Sequence, residues 1–217
     1  MIPLLHDFTG ATVLVFGGGR VGARKARRFD REARVVVVSP EFADADFGDS
    51  ERVRAAPAPG DADEWVERFD PALVVAATDD EAVNEAVERA ARDAGTLVNR
   101  TDRHGSRDAD SVVVPATVRD PPVVAAVATG GTSPALSKHL RQTIEAEIDG
   151  AGEMALLTAD LREELQEEGV PPADRHEAVR AVVRSPRVWK GLRRGDSKGR
   201  QVARDVISNA LDTGDAR

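Results

Sequence analysis

A chain of 217 residues with a net charge of −8 suits one domain with an appendage or two small domains, and its acidity argues against nonspecific nucleic-acid binding. Hydrophobic residues make up 41%, enough for a core, while the absence of cysteine excludes disulfides, a thiolate nucleophile and any cysteine metal site. The start, Met1-Ile2-Pro3-Leu4-Leu5-His6-Asp7, lacks the basic and apolar regions of a signal peptide, and no apolar run approaches bilayer length, so a cytoplasmic protein with no membrane partner is expected.

In chain order, Val13-Leu14-Val15-Phe16 predicts the first strand, over 13–16. It enters Gly17-Gly18-Gly19-Arg20-Val21-Gly22, where Gly17, Gly19 and Gly22 stand at G-x-G-x-x-G spacing before a helix over 20–29. Glycine lets such a turn approach a pyrophosphate closely, with phosphate oxygens facing the free N–H groups of the following helix. The strand before, the helix after and a second β-branched strand over 34–38 make a dinucleotide site the reading and a plain chain reversal the alternative. Gly17, Gly18, Gly19, Arg20 and Val21 are the first candidate cofactor contacts.

The second strand ends in Val38-Ser39-Pro40-Glu41. An acidic residue at this point ordinarily bonds the ribose hydroxyls of NAD; Ser39 occupies it, Glu41 lies two residues on, and Arg20 offers a partner for a 2′-phosphate. NAD is therefore expected as cofactor with NADP left open, and Ser39, Pro40 and Glu41 join the candidate contacts; a simple turn explains Ser39-Pro40 equally well.

A helix over 62–69 and a strand over 73–77 follow. The strand ends at Ala76-Ala77-Thr78-Asp79-Asp80, where small residues would let the nicotinamide side pass and Asp79 or Asp80 caps a helix over 80–94. Ala82, Val83, Ala86, Val87 and Ala90 give that helix one apolar face, and Thr78 and Asp79 are the remaining candidate cofactor contacts. A strand over 96–98 leads into Val98-Asn99-Arg100-Thr101-Asp102-Arg103-His104, on the edge where open α/β sheets bind ligands. A carboxylate among those bases suits general-base work, and a solvated polar loop is the bland alternative. A further strand is predicted over 112–114. The alternation implies a parallel sheet in an α/β wound domain.

Beyond Pro121-Pro122 lies a sixth apolar run, Val123 to Ala128, then Thr129-Gly130-Gly131-Thr132-Ser133-Pro134. Ser133 as N-cap and Pro134 at the first position predict a helix from Pro134 to about Ile148. The N–H groups of this second glycine turn would receive a carboxylate or phosphate, with Arg119, Lys138 and Arg141 adding positive charge. After Gly150 and Gly152 the chain reads as helices over 153–168, 174–184 (Asp174 and Glu177 as a capping box) and 197–211. The bases from Arg180 to Arg204 read as solvated helix faces, with a polycarboxylate partner as the sharper alternative. Lysine occurs only at Lys25, Lys138, Lys190 and Lys198; a lysine-poor acidic surface is that of salt-adapted proteins, although high genomic GC content also favours arginine.

Together these segments resemble the siroheme synthase family, specifically its precorrin-2 dehydrogenase domain. The resemblance rests on Val15-Phe16-Gly17-Gly18-Gly19-Arg20-Val21 with Arg24-Lys25-Ala26, Val38-Ser39-Pro40-Glu41, Ala76-Ala77-Thr78-Asp79-Asp80 with Asn84, Val98-Asn99 with Asp102, and Thr129-Gly130-Gly131-Thr132-Ser133-Pro134 with Leu140-Arg141. It covers residues 5 to 148 and implies a stand-alone dehydrogenase that oxidises precorrin-2 to sirohydrochlorin with NAD⁺. It further implies Asp102 as the catalytic acid-base residue. Asn99, Thr129, Gly130, Gly131, Thr132, Ser133 and Lys138 are implied as substrate contacts, with a homodimer formed through 113–150. The implied domains are a Rossmann-like NAD-binding domain over 1–112, a dimerisation and substrate segment over 113–150, and a helical C-terminal domain over 151–217. Some relatives also insert Fe²⁺ into sirohydrochlorin, for which Asp102 would again accept protons; the histidines His6, His104, His139 and His176 show no ligand spacing, and no metal site is expected. Against the family pattern, Arg20 replaces Asp, Gly22 replaces Ala, Arg100-Thr101 replaces an apolar pair before Asp102, and Arg103-His104 is more basic than usual. The competing class is a non-catalytic NAD-sensing regulatory module, which accounts for the first glycine turn and the helical tail but not for Asn99, Asp102 and the second turn.

Overall fold

The computed structural model describes residues 2–103, 111–194 and 196–214, which form two compact units, Met1–Val114 and Pro115–Arg217. In the first unit, five parallel strands lie in the order β3-β2-β1-β4-β5: β1 (Thr12–Phe16), β2 (Arg34–Ser39), β3 (Glu51–Arg54), β4 (Leu73–Ala76) and β5 (Leu97–Arg100). The central strands β1, β2 and β4 are almost wholly buried, so they read as continuous apolar runs rather than alternating ones.

Helices cover both faces of the sheet. On one face α1 (Arg20–Phe29) brings Gly22, Ala23 and Ala26, small enough for close approach, against Val13, Val15, Val35 and Val37. On the other, α2 (Ala62–Phe69) and α3 (Glu81–Asp93) pack Val66, Val83, Ala86, Val87 and Ala90 onto Leu14, Phe16, Val36, Val74 and Val98. Asp80 is the cap of α3, its Oδ1 accepting from the N–H of Ala82 at 2.9 Å and of Val83 at 3.2 Å. Asp79 is thereby left exposed at the sheet edge.

One expectation for this unit is corrected, and one element was missed. The strand predicted over 112–114 does not form: a single parallel bridge joins Val98 to Ser111, and the Val112 N–H donates to the Val98 carbonyl. Pro115, with no N–H and a restricted residue before it, stops the pairing there. The edge strand β3 was missed because Glu51-Arg52-Val53-Arg54 is mostly charged, as edges guarded against further pairing often are.

The second unit begins with an antiparallel hairpin, β6 (Ala116–Asp120) and β7 (Val123–Val127), turned by Pro121-Pro122 with a cis bond between them. The apolar run at 123–128 thus pairs with a neighbouring strand, and β6 is an element the sequence reading missed. Helix α4 (Pro134–Glu147) lies along the hairpin, and Ser133 caps it by accepting from the Leu136 N–H at 3.3 Å. A bundle follows: α5 (Ala151–Glu167), α6 (Pro172–Arg184), α7 (Pro186–Leu192) and α8 (Asp196–Gly214), around Leu157, Leu161, Leu165, Val182, Val188 and Ala203. Gly152 lies inside α5, where a Cβ would come within 2.3 Å of the Pro121 carbonyl oxygen, so it joins hairpin to bundle instead of breaking the chain. The capping box expected from Asp174 and Glu177 is replaced by a start at Pro171-Pro172, and α7 was not foreseen. The hairpin and α4, expected to be separate from the C-terminal helices, share one compact unit with them.

Candidate cofactor and active site

The carboxyl ends of β1, β2, β4 and β5 come together at one edge of the first unit. Gly17 donates to the Val38 carbonyl, Ala77 donates to the Phe16 carbonyl, and Thr101 donates to the Ala76 carbonyl. These bonds draw the glycine turn, Ser39, Thr78 and the Asn99–Asp102 segment into one row.

The glycines of the turn are required for different reasons. Gly17 has φ of 115°, and a Cβ there would sit 2.3 Å from the Ala77 carbonyl oxygen. At Gly18 a Cβ would meet the Glu41 carbonyl oxygen at 2.1 Å, because the 39–43 loop folds over it; Ala43 donates to the Gly18 carbonyl at 2.8 Å. A Cβ on Gly22 would come within 1.9 Å of the Gly17 carbonyl oxygen, so the helix rests directly on the turn. Gly19 differs from all of these. It is exposed and faces nothing within 4 Å, so nothing among the described residues demands glycine there.

Gly19 is also the N-cap of α1, with no side chain capping the helix and no acidic residue in its first turn, while Arg20 and Val21 are exposed. Free N–H groups, the positive end of the helix dipole and an open approach are what a pyrophosphate needs. The residues present therefore fit a dinucleotide.

Around this turn Ser39 is buried, and Pro40 and Glu41 are exposed. Arg54 at the end of β3 donates to the Pro40 carbonyl at 3.1 Å. Thr78 is fixed by Asn84: its N–H and hydroxyl both donate to Asn84 Oδ1, at 3.2 and 2.8 Å, and Asn84 Nδ2 donates back to the Thr78 carbonyl at 3.0 Å. Asn99 is 3% exposed, and both ends of its amide are engaged: Lys25 Nζ donates to Oδ1 and Nδ2 donates to the Val112 carbonyl, each at 2.8 Å. In this state Asn99 holds the chain around Val112 against α1.

Asp102 follows β5 at the same edge and is partly exposed. Arg100 grips its carboxylate with two bonds, Nε to Oδ1 at 3.0 Å and Nη2 to Oδ2. This pairing, helped by a hydrogen bond from Asn84 and opposed by partial burial, holds the Asp102 carboxyl below the usual carboxylate range. The same contacts raise the already high proton affinity of Arg100. His104 lies outside the described residues.

In the second unit, the turn before α4 has Gly130 at φ 62° and Gly131 at φ 83°. Thr129 shares a hydrogen bond with Ser137 at 2.8 Å, Thr132 donates to the Thr129 carbonyl, and Ser133 caps α4. Its hydroxyls thus brace the turn, and Gly130, Gly131 and Lys138 are exposed. Arg141 pairs with Glu145 at 2.8 Å, and Arg200 bridges Asp160 and Glu164, which accounts for part of the basic cluster through contacts within α4 and the bundle.

Compared with known proteins, residues 4–116 match a family described as putative NAD(P)-binding. The precorrin-2 dehydrogenase of Methanosarcina barkeri is 31% identical over 97% of this chain and 95% of its own length. The chain belongs to the precorrin-2 dehydrogenase family. Siroheme synthases of Pseudomonas paraeruginosa and Nitrosomonas europaea are 36% and 32% identical over 76% and 97% of the chain, which spans only 35% and 43% of their lengths. The solved structure of SirC, precorrin-2 dehydrogenase, superposes with a TM-score of 0.68 over 96% of this chain and 100% of that one at 21% identity, a likeness of fold.

Within this family member the sequence reading passed over Glu88. It lies on α3 among apolar positions, 8% exposed at its side chain, and its Oε2 accepts from Arg100 Nη1 at 3.1 Å. One signal was available: an arginine on a strand facing a packed helix requires an acid on that helix.

Proposed function

We propose that this precorrin-2 dehydrogenase family member oxidises precorrin-2 to sirohydrochlorin, removing a hydride and a proton, with Asp102 taking the proton. NAD⁺, when bound, supplies the hydride acceptor. The observation that carries the reading is Gly19, open to solvent at the N-terminus of α1, in a row with Thr78 and Asp102. Gly17, Gly18, Arg20 and Val21 shape or border the pyrophosphate position, and Ser39, Pro40, Glu41, Thr78 and Asp79 line the rest of the edge.

Asp102 is held charged and oriented, so it is ready to accept a proton at physiological pH, though as a weak base. The turn at Thr129, Gly130, Gly131, Thr132 and Ser133, with Lys138, receives carboxylates of the tetrapyrrole through the backbone of the exposed Gly130 and Gly131 and through positive charge. Asn99 acts indirectly, by fixing the backbone before Asp102. Incubation of the purified protein with precorrin-2 and NAD⁺ tests the reading: NADH absorbance and the sirohydrochlorin spectrum rise together. Tight NAD binding without turnover would instead favour the sensor, for which no structural feature speaks.

We also assign a homodimer and a cytoplasmic location, the latter in keeping with use of the cell's NAD pool. Support for the dimer comes from α4, none of whose residues is buried; Leu136, Leu140 and Ile144 form a stripe at helical spacing, the first two exposed at 46% and 36%. The double substitution Leu136→Glu, Leu140→Glu is expected to halve the mass measured by light scattering. An unchanged mass would remove α4 from the interface.

A further inference from the structure

We propose that Arg100, seated on Glu88, is a positioning residue for the reaction: it clamps the Asp102 carboxylate in one orientation by tying it to helix α3. The inference deepens, and rests on, the proposed role of Asp102.

The geometry is that of a relay with a buried centre. The Arg100 side chain is 4% exposed, and its planar guanidinium is used on both sides: Nε and Nη2 go to Asp102, and Nη1 goes to Glu88. Glu88 is in turn held by Arg92, whose Nη2 donates to Oε1 at 3.0 Å, and lies 3.7 Å from Arg103 Nη1. Arg103 also donates to Glu85 at 2.9 Å. Three acids and three arginines thus interlock, and no buried side-chain polar atom among the described residues lacks a partner. At the same edge of the sheet, Asp79 and Asp80 lie on the turn before α3, and Lys25 on α1 is bonded to Asn99.

An aspartate just past a strand end ordinarily rotates freely. The bidentate grip removes that freedom and leaves the outer lone pairs of the carboxylate for a reacting proton, at the expense of basicity. An apolar residue at position 100 permits neither effect. Glu88 matters because it fixes the arginine from behind and competes with Asp102 for its charge.

The two partners therefore have opposite signatures. Arg100→Met releases Asp102 and removes the cation beside it while Glu88 stays in place, held by Arg92, so the acid limb of the kcat profile moves to higher pH, and kcat at neutral pH falls about 10²-fold with KM retained. Glu88→Gln keeps the shape and removes the competing charge, so the limb moves to lower pH. Arg100→Lys restores charge without the fork and gives an intermediate profile. If Arg100→Met fails to fold, the double variant Glu88→Gln, Arg100→Met removes the buried charge pair together and keeps the comparison available. Carboxyl ¹³C NMR titration of Asp102 in the cofactor-free protein reads the same shifts without turnover. Limbs and titrations that coincide with wild type in the Arg100 and Glu88 variants overturn the clamp. Full turnover in Asp102→Asn overturns the proposed role of Asp102 instead, which the NMR titration distinguishes from failure of the clamp.

Discussion

Replacing Gly19 with aspartate is expected to abolish dinucleotide binding while leaving the fold intact. A Cβ at this position meets nothing within 4 Å among the described residues, so the substitution strains no contact with them. The carboxylate, however, stands at the N-cap of α1, where the pyrophosphate must approach, and like charges so close cost several kcal/mol. Affinity for NADH, read by fluorescence titration, should fall by about 10²-fold or more, with thermal stability close to wild type. Gly17→Ala is the control with the opposite signature. Its φ of 115° and the Ala77 carbonyl at 2.3 Å leave no room for a methyl group, so a loss of about 2–3 kcal/mol and a Tm lower by roughly 10 °C are expected. Retained NADH affinity in Gly19→Asp would mean that the cofactor lies elsewhere.

Asp102→Asn should lower kcat by about 10²- to 10⁴-fold without changing NAD affinity. The amide has nearly the shape of the carboxylate but cannot accept the substrate proton, and Glu88 still neutralises Arg100, so the fold survives. Steady-state turnover of precorrin-2 with parallel NADH titration separates the two effects. Unchanged kcat removes Asp102 from the mechanism; a parallel loss of NADH affinity would make it a structural support of the cofactor edge.

The cofactor half of the site was readable from contiguous residues. Strand, glycine turn and helix follow one another within Val13–Phe29, and each is written in a local pattern: a β-branched run, G-x-G-x-x-G spacing, a small-residue face. The cap Ser133 was readable for the same reason, and that of α3 was narrowed to Asp79 or Asp80, since a cap bonds two or three residues away. Elements whose identity depends on a distant partner were harder. Glu51–Arg54 is a strand because β2 offers it an edge, and Ala116–Asp120 is one because Val123–Val127 folds back on it. The 112–114 segment had the composition of a strand but ends against a proline and pairs only once.

The sequence by itself determined the wound α/β plan, the glycine turn and the presence of Asp102 just beyond the strand predicted over 96–98, because periodicity, turn chemistry and capping act over a few residues. Only the tertiary structure decided what surrounds that aspartate. Arg100 meets Glu88 across twelve positions and Lys25 meets Asn99 across seventy-four, pairings that exist because α3 and α1 pack on opposite faces of β5 and its neighbours. The strand's two-residue alternation sends Arg100 to one face and Asn99 to the other. Which charges wait there follows from helix packing, and that sets the proton affinity of the carboxylate.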